Sequence, residues 1–204
     1  MCRILYPDEI IPSAYYIDYD RLYAEGYRGV IYDVDNTLVP HGAPADNRAK
    51  ALFAHLHELG MKAVFVSNNK EDRVAEFAGE VGEEYVFLAH KPGTSGYIKA
   101  MKMMGTTVED TFSVGDQIFT DTWGAKRAGL LTILTRPINS TEEIQIIIKR
   151  ILEKPVLLNY RIYRKLHKPD NARSVLLPLD PDGTYPILYG EYNGQAGTMK
   201  NKMT

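Results

Sequence analysis

The chain has 204 residues, 45% hydrophobic and 25% charged, with a formal net charge of −2. That composition describes a folded globular protein with room for one sizeable domain and an appendage, and it gives no overall reason to expect nucleic acid as a partner. No stretch approaches the roughly 18 consecutive apolar residues of a membrane-spanning helix. Cys2 is the only cysteine, which rules out an internal disulfide and points to a reducing compartment. The opening "MCRILYPDEIIPSAYY" carries acids and prolines where a signal peptide needs an apolar run, so a cytoplasmic protein is expected.

In chain order, residues 1–28 hold Tyr15, Tyr16, Tyr19, Tyr23 and Tyr27 and are expected to form a short helix and loop covering the flank of a sheet. From Gly29 to Thr135 β-branched runs alternate with helical ones: "GVIYDVD", "DNRAKALFAHLHELG", "KAVFVSN", "EDRVAEFAGEVG", "EYVFLAH", "GTSGYIKAMKMMG", "TFSVGD", "FTDTWGAKRAG" and "LLTILT". Leu52, Leu56 and Leu59 recur at helical spacing, and Gly60 ends that helix. The alternation predicts a three-layer α/β/α core over residues 29–153, with a five-stranded parallel sheet. After Thr135, Ser140 and Glu143 predict a helix cap, and Pro155 is expected to interrupt that helix. Residues 154–204 then read as a basic amphipathic segment and a loosely ordered tail. Charge is uneven. Residues 1–148 hold 14 basic against 21 acidic side chains, and residues 149–173 hold 8 against 2.

In a parallel sheet of this kind, ligands bind beyond the carboxyl ends of the strands. The first strand runs into "DVDNT", where two aspartates stand two residues apart and burial would protonate at least one. The other strand ends deliver Ser67, Asn68 and Asn69, then Lys91 and Pro92, then Asp116 and Asp121 of "GDQIFTD". Asp33 and Asp116 can share a hard divalent cation such as Mg²⁺, which turns repulsion into ligation. Ser67 supplies a hydrogen-bond donor and Lys91 a positive charge for an anion. A metal, a phosphate cradle and a free carboxylate together specify phosphoryl transfer through an aspartyl-phosphate. Singly these residues have ordinary explanations: "DNT" is good turn chemistry, Ser67 could cap a helix and Lys91 could be a solvated charge. Jointly, at one edge of one sheet, they describe a site. His41 reads as an exposed loop residue, His55 and His57 face different sides of their helix, and Trp123 reads as packing.

"DVDNT", Ser67 with "NN", "KP" and "GDQIFTD", in this order, resemble the four motifs of the haloacid dehalogenase (HAD) superfamily. The resemblance implies that Asp33 is the nucleophile and Asp35 the general acid/base, with Thr37 positioning the pair. It implies that Ser67, Asn68 and Lys91 hold the phosphoryl group. Mg²⁺ would be held by Asp33, Asp116 and the Asp35 backbone carbonyl, with Asp121 ordering its outer shell. Residues 4–155, through "YPDEIIPSAYYIDYDRLYAEGYRGVIYDVDNTLVP" and "GDQIFTDTWGAKRAG", resemble the bacterial YqeG group of class IIIA HAD phosphatases. That group is related to eukaryotic mitochondrial phosphatidylglycerophosphatases, which implies phosphatidylglycerophosphate as the substrate.

Many HAD phosphatases carry a cap domain between the first and third motifs. Here Thr37–Ser67 and Ser67–Lys91 have room only for core elements, which predicts an open site for a phosphate carried on something large. Arg150, Lys154, Arg161, Arg164, Lys165 and Lys168 lie among apolar residues, a pattern suited to a peripheral contact with an anionic membrane or to a solvated helix face. Two alternatives stay open from sequence: an uncapped phosphatase for phosphoprotein or nucleotide substrates, and a non-catalytic HAD scaffold.

Overall fold

The computed structural model describes residues 3–139, 144–167, 176–177 and 184–190. Its strands are β1 (Glu9–Ile11), β2 (Gly29–Tyr32), β3 (Lys62–Val66), β4 (Glu84–Val86), β5 (Thr111–Gly115) and β6 (Leu131–Thr135). Its helices are α1 (Tyr19–Ala24), α2 (Asn47–Leu59), α3 (Glu71–Val81), α4 (Ser95–Met104), α5 (Trp123–Arg127) and α6 (Ile144–Leu166). All strands pair in parallel, in the order β1-β6-β5-β2-β3-β4.

Alternation along β2 builds the three layers. Val30 and Tyr32 pack with α2, α3 and the N-terminal segment, whereas Ile31 faces α4 and α5. The α2 stripe of Ala49, Leu52, Phe53 and Leu56 is buried at helical spacing. That helix begins where the Asp46 carboxylate accepts the Ala49 N–H at 2.9 Å, and it ends at Gly60 with φ of 77°, the left-handed conformation glycine adopts freely. Phe53 makes edge-on ring contacts with Tyr32 at 5.6 Å and Phe65 at 5.2 Å, and Phe65 with Phe77 at 5.2 Å.

The sheet has six strands, one more than the alternation predicts, and the sixth comes from the segment expected as helix and loop. Residues Glu9–Ile11 form an edge strand of three residues between Pro7 and Pro12, too short for periodicity to reveal. Its position is set by tertiary contacts: the Asp8 carboxylate accepts the Thr132 N–H at 2.7 Å and meets Lys126 Nζ at 2.5 Å. Helix α6 runs through Pro155 without a break. Anchors on both sides offset the proline's cost. Arg150 and Glu153 grip the β5 end, while Tyr160 and Tyr163 pack on Tyr6 with ring centroids 5.6 and 5.5 Å away. Ser140, Glu143 and Lys168 lie outside the described residues, as does most of the tail. The described tail residues lie against the N-terminal segment: Tyr185 stacks on Tyr16 at 4.6 Å, and Tyr189 is buried beside Tyr15.

Candidate active site

From β2 the chain builds β3 and β4 to one side, then crosses to build β5 and β6 on the other. The crevice where strand order reverses therefore lies between the carboxyl ends of β2 and β5, which are followed directly by Asp33 and Asp116. The Asp33 N–H donates to the Val114 carbonyl at 3.0 Å, so the ladder itself fixes the first carboxylate. Asn36 then takes φ of 63°, which asparagine tolerates, and its N–H closes the turn on the Val39 carbonyl at 2.7 Å. That turn brings the Thr37 hydroxyl to 3.4 Å from Asp116 Oδ1.

Beyond β3, the buried Ser67 hydroxyl accepts the Asn69 N–H at 3.1 Å. The Asn68 side chain brackets one residue, accepting the Lys91 N–H at 2.7 Å and donating to the Lys91 carbonyl at 3.2 Å. This clamp holds the buried Lys91 Nζ 2.5 Å from Asp33 Oδ1 and 2.7 Å from Asp121 Oδ1. Asp121 rides on a π-helical turn, Ile118–Thr122, and its other oxygen accepts the Gln117 N–H at 2.9 Å. It sits so close to β5 that a Cβ on Gly115 would lie 2.5 Å from its own Cβ, which only glycine avoids.

Burial pushes the Asp33 carboxyl up to about 7, with Lys91 opposing and Asp121 and Asp35 adding to the rise. Burial likewise raises Asp116 well above the carboxylate range, reinforced by Asp33 and Asp121 and only partly offset by Arg150. Burial alone would lower the Lys91 ammonium, but Asp121 and Asp33 hold it well above the usual lysine value. One carboxylate oxygen from each of Asp33, Asp116 and Asp121 lies within 4.8 Å of the others. Three converging hard oxygen donors, two of which burial pushes toward the neutral form, fit a divalent metal ion that would favour their charged form.

Of the residues named from sequence, Asp33, Asp116, Asp121, Thr37 and Lys91 converge here, with Ser67 and Asn68 framing the Lys91 side. The Asp35 carboxylate is held outside the acidic cluster. It accepts the Gly42 N–H at 2.8 Å and the Asn69 side-chain amide at 2.5 Å, and it pairs with Arg73 at 2.9 Å. Arg73 was not legible in any motif. Its signal is a cation in the first turn of α3, which the helix dipole disfavours and a facing carboxylate must compensate.

Arg150 and Glu153 are two further residues the motifs do not contain. Arg150, expected on the basic outer face, turns inward onto the Asp116 carboxylate and donates to the Asp116 carbonyl at 2.5 Å. Glu153, buried, accepts the Ile118 N–H at 2.6 Å and so ties α6 to the loop between Asp116 and Asp121. Arg164 also faces the domain, 3.4 Å from Glu9. The histidines behave as read from sequence: His41 is exposed, and His55 and His57 pair separately with Asp20 and Glu83 at 2.9 and 2.6 Å.

A family model for haloacid dehalogenase-like hydrolases matches residues 43–129. Over 156 residues, 76% of this chain and 91% of the relative, the sequence is 33% identical to the "Probable phosphatase YqeG" of Bacillus subtilis (strain 168). The chain belongs to the YqeG group of haloacid dehalogenase-like phosphatases. As a YqeG-group phosphatase it is a phosphoric monoester hydrolase. It is also 29% identical to "Phosphatidylglycerophosphate phosphatase 1, chloroplastic/mitochondrial" of Arabidopsis thaliana, covering 82% of this chain and 51% of that protein. The corresponding chloroplastic protein of Chlamydomonas reinhardtii is 26% identical, over 67% of this chain and 55% of its own length. The chain therefore spans about half the length of both. Among solved structures, the cobalt-bound deoxy-D-mannose-octulosonate 8-phosphate phosphatase of Haemophilus influenzae aligns with 56% of this chain and 70% of its own, at 20% identity and a TM-score of 0.45.

Only α2 and β3 lie between Thr37 and Ser67, and only α3 and β4 between Ser67 and Lys91. Neither interval therefore holds an inserted cap domain. Among the described residues, no helix is long and apolar enough to cross a membrane.

Proposed function

We propose that the protein is a Mg²⁺-dependent phosphatase that converts phosphatidylglycerophosphate to phosphatidylglycerol through a phosphate ester on Asp33. The observation that carries this reading is the convergence of Asp33, Asp116 and Asp121, with Lys91 bridging Asp33 and Asp121, at a sheet edge whose motif intervals hold no inserted cap domain. A site with no cap inserted between its motifs suits a phosphomonoester on a large carrier, and the names of the plant and algal relatives supply the lipid class.

Each step falls to a residue of this chain. An Asp33 carboxylate oxygen attacks phosphorus, forming the acyl-phosphate bond as the bond to the glycerol oxygen breaks. Asp35 protonates the departing alkoxide, then takes a proton from the water that attacks phosphorus and frees Asp33 and inorganic phosphate. Lys91, Ser67 and the Asn68 backbone hold the phosphoryl oxygens, and the Asn68 side chain keeps Lys91 in place. Asp33, Asp116 and the Asp35 carbonyl would hold the metal, with Asp121 close enough to join them. When bound, the ion withdraws charge from the phosphoryl oxygens and keeps both buried carboxylates ionised.

The Arg73 pair fixes the Asp35 carboxylate, together with the Asn69 amide and the Gly42 N–H, and so positions the general acid/base. Arg73 also donates to the Ala43 carbonyl at 2.8 Å, so it tethers the loop that follows the nucleophile. Arg73→Met is expected to lower kcat by about a hundredfold, the lower end of the range that general acid–base catalysis contributes, while the Mg²⁺ requirement stays as it was. Steady-state kinetics at varied Mg²⁺ reads both. An unchanged kcat would remove Arg73 from the mechanism.

The exposed side of α6 presents Leu152, Leu158 and Leu166 together with Lys154 and Lys165, which supports a peripheral contact with anionic lipid. Phosphate release from a panel tests substrate and surface together. We expect phosphatidylglycerophosphate in anionic vesicles to exceed phosphopeptides and nucleotides in kcat/KM, and its rate alone to fall as salt rises. Preference for a phosphopeptide or nucleotide would overturn the lipid reading.

A further inference from the structure

A cleft of about 710 Å³ runs between α6 and the strand edge formed by β1 and β6. Asp116 and Arg150 belong to its wall, so it adjoins the catalytic cluster. Its sides differ in chemistry. Leu134, Leu157 and Ile162 give it an apolar lining, while Arg136, Lys154, Arg161 and Lys165 supply cations. Arg164 and Arg150 are occupied by Glu9, Glu153 and Asp116. Among the described residues, Arg136, Lys154, Arg161 and Lys165 form no ion pair. The four face solvent at the rim.

Unneutralised cations on an apolar cleft, beside a phosphate site, match one chemistry: a second anion carried between that phosphate and a hydrocarbon chain. We propose that the cleft takes the inner phosphodiester of a two-phosphate lipid whose outer phosphomonoester lies at Asp33, with Arg136 and Arg161 as the diester's ligands. This rests on the functional reading above and deepens it: the cleft, not the catalytic cluster, distinguishes a glycerophosphodiester substrate from other phosphomonoesters. Guanidinium groups suit the task, since their fork matches two phosphate oxygens. Leu157 and Ile162 then lie where the glycerol and the first methylenes of the acyl chains follow the diester.

The test compares wild type with the Arg136→Gln/Arg161→Gln double variant on four substrates. These are phosphatidylglycerophosphate in mixed micelles, its deacylated water-soluble form, phosphatidic acid in the same micelles, and p-nitrophenyl phosphate. Loss of two charge-assisted contacts should lower kcat/KM on both diester substrates by about a hundredfold, tenfold for each roughly 1.4 kcal/mol. The loss on phosphatidic acid and p-nitrophenyl phosphate should be at least about tenfold smaller. Inhibition of p-nitrophenyl phosphate hydrolysis by glycerophosphoglycerol gives a second readout, and its Ki should rise in the variant. Equal losses on all four substrates, or none on the diesters, would overturn the assignment. Losses on both micellar lipids but not on the deacylated diester would assign the two arginines to a lipid surface instead. A wild-type enzyme that turns over p-nitrophenyl phosphate but neither diester would sink the functional reading, and this assignment with it. Variant effects confined to the diesters cannot arise in that case, so the two failures are separable.

Discussion

Asp33→Asn is expected to lower phosphate release by at least about a thousandfold, a barrier increase of about 4 kcal/mol, with the fold intact. An amide nitrogen or oxygen does not attack phosphorus as a carboxylate does. Nor does the change empty the site, because Asn fills the same volume and Lys91 keeps Asp121 at 2.7 Å. The charge that is lost is one the fold holds at a cost: burial and two neighbouring aspartates already push the Asp33 carboxyl up to about 7. The urea midpoint of the variant should therefore equal or exceed that of wild type. Turnover above about 1% of wild type, with deamidation excluded by mass spectrometry, would show that Asp33 is not the nucleophile.

Removal of Asp116 should act through the metal instead. Asp116→Ala takes away one of the converging carboxylates, and its loss should raise the Mg²⁺ concentration for half-maximal rate by about a hundredfold or more, beyond the effect of most supporting residues. Binding has its own signature. An ion that binds only the folded protein raises the melting temperature, so added Mg²⁺ should stabilise wild type and leave Asp116→Ala unshifted. Arg150 loses the carboxylate but keeps the carbonyl of residue 116 as an acceptor, so α6 retains one of its anchors. Wild-type rates in excess chelator would rule out the metal altogether.

Much of this site was legible in the sequence because its residues sit at ends of strong, repeating elements. β2, β3 and β5 are largely buried strands, and each hands a polar group to the same edge, so Asp33, Ser67 and Asp116 follow from topology as much as from motif. What stayed hidden depends on contacts far apart in the chain. β1 is three residues whose pairing partner lies more than a hundred positions away, and no local pattern encodes that. Pro155 has a strong local preference that tertiary anchoring overrides. Arg150 belongs to a basic stretch by sequence, yet the structure turns it onto Asp116 while leaving Arg161 at the surface. Charge composition identifies such a segment without sorting which cations face inward. Arg73 follows the same logic, since its pair with Asp35 joins residues 38 positions apart.

The mechanism stands or falls on whether phosphate passes through Asp33. Asp35→Asn should slow hydrolysis of the acyl-phosphate more than its formation, because the second step needs a base to activate water. Rapid quenching of this variant with ³²P-labelled phosphatidylglycerophosphate and Mg²⁺, followed by peptide mapping, reads the intermediate directly. The mechanism predicts acid-stable, hydroxylamine-labile label on the peptide that contains Asp33, and none in Asp33→Asn. Label on another residue, or phosphate released in a single turnover with no labelled protein at any time point, would contradict it.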